Sequence, residues 1–343
     1  MSNQSPNDDA AAVTRLQAAR TKIKQELGKI VVGQDEIIDM LLIGMLCRGH
    51  ILLHGVPGLG KTLMARTLAK TLQMEFRRIQ FTPDLMPADI TGTDVMEEDH
   101  ATGKHKVSFL PGPVFTNFLL ADEINRTPPK TQAALLQAMQ ESEISVGRET
   151  YKIKPPFFVV ATQNPIEMEG TYPLPEAQLD RFMFNLKIKY PTVDEEVQII
   201  KGTTSSTTAT AEAVLQAEEL LRLQDLIRGV PVADSVVRFA ARLVAATRPS
   251  GAGKDTGAKS LDAIHKYISY GASPRASQFL VLGSKARAIL SGKYHVDFAD
   301  IKAVAHPVLR HRLVLNFHAR ADNVDADVLV NRLLEAVPQE MKS

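Results

Sequence analysis

The sequence predicts an α/β protein, a parallel five-stranded sheet between helices followed by an all-α C-terminal domain, and three observations predict it. Short apolar runs, Ile51–Leu53, Phe76–Phe81, Phe118–Ala121, Phe157–Ala161 and Met183–Ile188, alternate with helical segments, the pattern of strands buried on both faces. After Tyr190-Pro191 the apolar residues recur almost only at helical spacing. At 343 residues the chain exceeds the roughly 250–300 at which a single core stops growing. Two domains are therefore expected, residues 13–191 and 192–343, behind a polar stretch 1–12 that reads as a disordered leader.

Val13 to about Leu27 and Asp35 to Cys47 read as helices. The first strand runs into Gly55-Val56-Pro57-Gly58-Leu59-Gly60-Lys61-Thr62, which opens a helix from Thr62 to about Leu72. These eight residues fit G-x-x-x-x-G-K-[ST] in the strand–loop–helix setting of a phosphate-binding loop. Glycines let backbone N–H groups converge on phosphate oxygens, and the helix adds its unpaired N–H groups and positive dipole end. The expected ligand is a nucleoside triphosphate, with Lys61 on its β- and γ-phosphates and the Thr62 hydroxyl on Mg²⁺.

The third strand ends in Asp122-Glu123. Successive side chains of a strand point to opposite sides, so Asp122 can face the Mg²⁺ held by Thr62 while Glu123 orients the attacking water and accepts its proton. Asn164, one step beyond the fourth strand and followed by Pro165, is either a turn device or an amide on the attacking water and a γ-phosphate oxygen. Arg181 precedes the fifth strand; it is either an ion-pair partner of Asp180 or an arginine finger for a neighbouring subunit, which demands an oligomer. In the C-terminal half, Ser273 and Pro274 start a helix whose second position is Arg275. A cation there opposes the helix dipole, so an anion nearby, such as a γ-phosphate, is expected. The helices of this half are Ala213–Arg228, Val236–Thr247, Pro274–Leu290, Phe298–Leu309 and Val328–Ala336, with loops at Gly202–Thr208 and Pro249–Ser260.

With these motifs in this order, the chain resembles the AAA+ ATPases, whose core is of the P-loop NTPase type with a helical lid, and within them the MoxR family of the helix-2-insert clade. Val32-Gly33-Gln34 is similar to the adenine-side element, Gly55–Thr62 to Walker A and Asp122-Glu123 to Walker B. Asn164 matches sensor 1, Arg181 the arginine finger and Arg275 sensor 2. The MoxR-like text is Asp122–Lys130, Ala161–Glu167, Gly170–Phe182 and Gly271–Ala276, and the resemblance covers about residues 15–336. Gly92–Val95 with Lys104–Phe109 resembles the helix-2 insert, and Glu143–Ile153 the pre-sensor-1 hairpin. The resemblance implies binding and hydrolysis of ATP with Mg²⁺ and assembly into a homo-oligomeric ring, a hexamer by analogy. It also implies a chaperone-like role on a protein client with a von Willebrand factor A (VWA) domain partner. No aromatic pore loop like that of unfoldases is present, so threading is not expected.

Composition narrows the remaining classes. Forty Lys+Arg against 39 Asp+Glu give a net charge of +1, so no overall field favours nucleic acid or membrane. A lone Cys47, the absence of an apolar leader and the absence of an 18-residue apolar run point to a cytoplasmic protein. The alternative is a nucleic-acid motor related to AAA+ helicases. It would want basic hairpin tips and a DNA-binding domain, whereas Arg148 is opposed by Glu149 and residues 337–343 leave no room for one. A scaffold that binds ATP without turnover is disfavoured by the Asp122-Glu123 pair. His306, His311 and His318, with Arg310, Arg312 and Arg320, read as a basic lid surface rather than a metal site.

Overall fold

The computed structural model describes residues 6–98, 105–166, 170–205, 209–249, 256–258 and 261–339. Helices α1 (Pro6–Gly28) and α2 (Asp35–Leu46) lead into β1 (His50–His54), α3 (Lys61–Thr71) and β2 (Phe76–Gln80). Then come α4 (Pro87–Thr91), the hairpin β3 (Gly92–Glu98) and β4 (His105–Pro111), β5 (Phe118–Asp122) and α5 (Pro129–Glu141). A second hairpin, β6 (Glu143–Val146) and β7 (Glu149–Lys152), precedes β8 (Phe158–Gln163), α6 (Glu176–Leu179) and β9 (Phe182–Lys187). The C-terminal half holds α7 (Val193–Thr203), α8 (Ala217–Gly229), α9 (Asp234–Ala245), α10 (Asp262–His265) and β10 (Ile268–Tyr270). It ends with α11 (Pro274–Leu290), α12 (Phe298–Leu309), β11 (Val314–Leu315), α13 (Phe317–Ala321) and α14 (Ala326–Ala336).

The five expected strands form one sheet in the order β2-β5-β8-β1-β9, every neighbouring pair parallel. Their apolar residues divide by parity, as a period of two requires, except in β9, where a register shift beside Met183 puts Phe182 and Phe184 on opposite sides. Ile51, Leu53, Phe118, Leu120, Val160 and Phe184 face one hydrophobic cluster; Leu52, Leu119, Ala121, Val159, Ala161 and Phe182 face another. The second cluster is closed by α5 through Leu135, Leu136 and Met139. The first takes in Leu16 and Ile23 of α1, Leu41 and Met45 of α2, and also Leu280 of α11 and Val304 of α12. The helical half thus shares a core with the sheet, and the expected division at residue 191 falls in the link between β9 and α7.

Two expectations need amendment. The first helix begins at Pro6, inside the stretch read as a disordered leader; Pro at the first helical position followed by Asp8, Asp9 and three alanines is a sound helix start. The C-terminal half is helical except for β10 and β11, which pair antiparallel and are too short for a periodicity to reveal. The two inserts are hairpins as expected, and they pack together, Phe109 stacking on Tyr151 at 3.9 Å between centroids. The tip with His100, and Gly251–Lys254, lie outside the described residues.

Burial in the sheet fixes the charge state of His50. Its Nδ1 accepts from the Val159 N–H at 3.1 Å and its Nε2 donates to the Met139 carbonyl at 3.0 Å, an arrangement open only to the neutral ring. Burial pulls its pKa from 6.5 down to about 4. Burial, with Lys187, Arg310 and Lys61 near, does the same to His54, also to about 4. Folded values below the unfolded ones mean that stability is full above pH 6.5 and falls as pH drops towards 4, by up to about 3 kcal/mol per histidine. Thermal unfolding from pH 7.5 to 4.5 should show this fall, and His50→Gln, which can still donate and accept, should flatten part of it. A melting temperature constant over that range would refute the assignment.

Candidate active site

The loop after β1 turns on two glycines. Gly58 has φ 84° and Gly60 φ 71°, the left-handed region that costs a residue with a Cβ roughly 1–2 kcal/mol, and Gly60 caps α3. Lys61, the first residue of α3, is buried and its Nζ donates to the Gly55 carbonyl at 2.5 Å, while half-buried Thr62 follows in the same turn. Beside the loop opens a cleft of about 900 Å³ lined by Val32, Gln34, Leu59, Gly60, Ile199 and Gly202, among others. Gly33 stands behind it, where a Cβ would meet the Glu195 carboxyl at 2.4 Å. The Val32–Gln34 segment and the Gly55–Thr62 loop therefore border one cleft, and α7 closes its other wall.

Asp122 ends β5 and Asn164 follows β8, the two strands next to β1 and β1's neighbour in the sheet. At about 4.8 Å per strand, β1, β8 and β5 bring Lys61, Asn164 and the acids within roughly 10 Å. Asp122 is buried; its Oδ1 accepts from the Thr162 hydroxyl at 2.6 Å and its Oδ2 from Arg78 Nη2 at 2.7 Å. Glu123 has φ 58°, ψ 50°, so the chain turns sharply there and the two acids separate. Its N–H donates to Thr162 Oγ1 at 2.8 Å, and its Oε2 accepts from Gln80 Nε2 at 2.9 Å and Arg126 Nη1 at 3.1 Å. The turn reading of Asn164 has a contact behind it. Its Oδ1 accepts from the Ile166 N–H at 3.1 Å, while its buried Nδ2 has no hydrogen-bond partner among the described residues.

Arg181 and Arg275 lie at the other edge of the sheet. Phe182 pairs with His50, so Arg181 sits at the start of β1, roughly 17 Å by strand rise from the loop at its end. Asp180 does not pair with Arg181; it bonds Arg312 Nε at 2.7 Å, Ser273 Oγ at 3.0 Å and Arg275 Nη1 at 3.3 Å. No hydrogen bond or ion pair of the Arg181 guanidinium occurs among the described residues. The anion that offsets Arg275 in the first turn of α11 is thus Asp180.

Sequence reasoning missed Gln80, Thr162 and Arg78, polar residues that hold the acids, because nothing in the local pattern marks a cross-strand partner; it also missed Arg126, three residues after Glu123. Of the lid residues expected on a surface, His318 and Arg320 are exposed, whereas His311, Arg312 and Arg310 turn towards the sheet. His311 Nε2 reaches the Phe182 carbonyl at 3.1 Å, Arg312 is buried, and Arg310 Nε bonds Asp327 at 2.9 Å; burial pushes the His311 pKa well down. They face β9 because α12 packs along it. No cluster of metal-binding side chains occurs among the described residues, nor any helix long and apolar enough to cross a membrane.

Comparison with known proteins agrees with this geometry. Residues 50–184 match the model of the ATPase family associated with various cellular activities (AAA), and residues 261–333 match the AAA lid domain. The chain is 43% identical over 329 residues to Chaperone MoxR1 of Mycobacterium tuberculosis, covering 96% of this chain and 83% of that protein. It is 31% identical over 353 residues to Protein MoxR of Methylorubrum extorquens, covering 98% and 99%. The crystal structure of a protein described as a candidate ATPase from Cytophaga hutchinsonii superposes with a TM-score of 0.86 at 41% identity, covering 96% of this chain and 97% of that one.

Thr162 is the residue through which both acids are held. Thr162→Val should lower phosphate release by about tenfold or more while costing only about 1–2 kcal/mol of stability. Turnover equal to wild type in a steady-state phosphate assay would show that the hydroxyl has no part in setting the acids.

Proposed function

The chain belongs to the MoxR family of AAA+ ATPases, and from that premise we propose that it hydrolyses ATP at a subunit boundary to remodel, activate or mature a protein complex. The observation that carries the reading is the buried Nδ2 of Asn164, which lacks a partner among the described residues and stands at the same strand ends as Asp122, Glu123 and the Lys61 loop. A buried donor of this kind is costly unless a ligand completes it. In this reading Lys61 binds phosphate oxygens, the Asn164 amide donates to the γ-phosphate or the attacking water, and the Glu123 carboxylate orients that water and takes its proton. Thr62 and Asp122 offer only oxygen donors, a set suited to a hard divalent cation. Mg²⁺ held there would neutralise phosphate charge.

Arg181 stands too far from its own loop to serve it, so it would act on the nucleotide of a neighbour, with Arg275 alongside through Asp180. Helix α7 supports a neighbour on the cleft side: Val193, Val197 and Ile200, at i, i+4 and i+7, are all exposed, an apolar stripe. A six-membered ring, a VWA-domain partner and a protein client are family expectations. The two packed hairpins, with Met96 and Val107 exposed opposite each other, are the surface that would meet the client.

Lys61→Ala should abolish ATP binding, whereas Glu123→Gln should bind ATP and not split it; wild-type hydrolysis by Glu123→Gln would remove the base assignment. Arg181→Ala should lose turnover and regain part of it when mixed with Glu123→Gln subunits. Absence of rescue in fully assembled mixtures would count against action between subunits. Co-purification with Glu123→Gln loaded with ATP would identify partners, and a partner without a VWA domain would correct that expectation.

A further inference from the structure

Arg312 follows α12 in the lid, yet its side chain is 1% exposed and all its polar contacts but one are with residues flanking Arg181. Nε donates to Asp180 Oδ1 at 2.7 Å, and Nη2 to the carbonyls of Asp180 at 2.9 Å and Phe182 at 2.6 Å. Nη1 reaches the Met183 carbonyl at 3.3 Å and that of Val308 in its own helix, and the guanidinium lies over the Phe279 ring of α11 at 5.1 Å. One lid cation thus fixes the backbone immediately before and after Arg181, where α6 ends and β9 begins. The other oxygen of the same carboxylate, Asp180 Oδ2, accepts from Ser273 and Arg275 of α11.

Burying a charge is expensive, and a buried ion pair is seldom more stable than an apolar pair of the same volume. Its planar fork does supply what apolar packing lacks, a fixed orientation set by several directional bonds. Phe279 or Val308 could fill space around β9, but neither could set the direction of a peptide.

We propose that Arg312 is a positioning residue for the arginines that act on the neighbouring subunit, so that the placement of the lid in one subunit sets the catalytic competence of the next. The inference rests on the reading of Arg181 as acting between subunits. It adds a direction: a shift of the α11–α12 border against β9 acts through Arg181 on the neighbour's site, because Arg181 stands a strand's length from its own phosphate loop. Arg181, whose guanidinium makes no hydrogen bond or ion pair among the described residues, has only its backbone to hold it in place.

Arg312→Lys keeps the charge and removes the fork. Assembled Arg312→Lys protein should bind ATP with an affinity within about twofold of wild type and lose at least about tenfold in turnover, less than the roughly 10³–10⁵ that a finger supplies because the finger is displaced and not removed. Mixed with an excess of Glu123→Gln subunits, which hydrolyse nothing themselves but carry an intact Arg312, it should regain turnover several-fold. A purely structural role would weaken both properties and give no rescue. Turnover at wild-type level, or no rescue where Arg181→Ala is rescued under the same conditions, overturns the inference and leaves the wider reading intact. If Arg181→Ala is not rescued either, action between subunits falls and this inference with it. Should Arg312→Lys lose its near-ultraviolet dichroism, Asp180→Asn, of the same shape without the charge, carries the same expectations.

Discussion

Strand polarity is the constraint on which the rest of this molecule depends. Because every pair in β2-β5-β8-β1-β9 is parallel, the sheet has two chemically different edges. The carboxyl ends of β1, β8 and β5 deliver the phosphate loop, Asn164 and the two acids to one of them. The amino end of β9 leaves Arg181 at the other. No side chain can bridge a strand's length, so within one chain Arg181 stays apart from the phosphate loop and the two acids. A head-to-tail contact between copies is the simple way to join such edges, and it is the kind of contact that closes into rings.

The lid does not behave as a separate body in this arrangement. Leu280 and Val304 belong to the same apolar cluster as Ile51 and Leu53, and α11 and α12 pack against α1, α2 and β9. Apolar packing of this kind is strong but not directional. Direction comes from the polar contacts at its border, chiefly the pairing of Asp180 with Arg312 and Arg275. Arg310 adds a second anchor through Asp327 and the Asn185 carbonyl. Both anchors grip β9, the edge strand, so movement of the lid is transmitted to one strand rather than to the sheet as a whole.

Much of this was legible in the sequence. Short continuous apolar runs between helical segments mark all five core strands to within a residue or two, because burial on both faces leaves a continuous apolar text. Gly58, Gly60, Lys61 and Asp122 were legible because their chemistry is local: a turn, a helix start, a strand end. What escaped was non-local. Thr162 and Gln80 matter through partners about 40 residues away, and a threonine or glutamine in a strand carries no mark of that. The lid cluster was misjudged for a related reason. Arg310, His311 and Arg312 look solvent-exposed by composition, and only the packing of α12 on β9 turns them inwards. The leader was misjudged because a polar run of high helix propensity reads equally well as coil.

Glu123 shows how the local and the non-local meet. A glutamate in the left-handed region is strained by about 1–2 kcal/mol, so some tertiary contact has to hold it there. The contact is the bond from its own N–H to Thr162 Oγ1, and that hydroxyl in turn donates to Asp122. The turn sends the Glu123 carboxylate away from Asp122, towards Gln80 and Arg126, and keeps two adjacent acids from sharing one volume and repelling each other. An extended backbone would also send the two side chains apart, but along the pleat, which continues the strand and aims the second at the layer of helices. The strained turn instead ends the strand at Asp122 and leaves Glu123 at the edge where Asn164 and Lys61 converge. The strain is therefore part of how the site is built, and its cost is met by a threonine on the neighbouring strand.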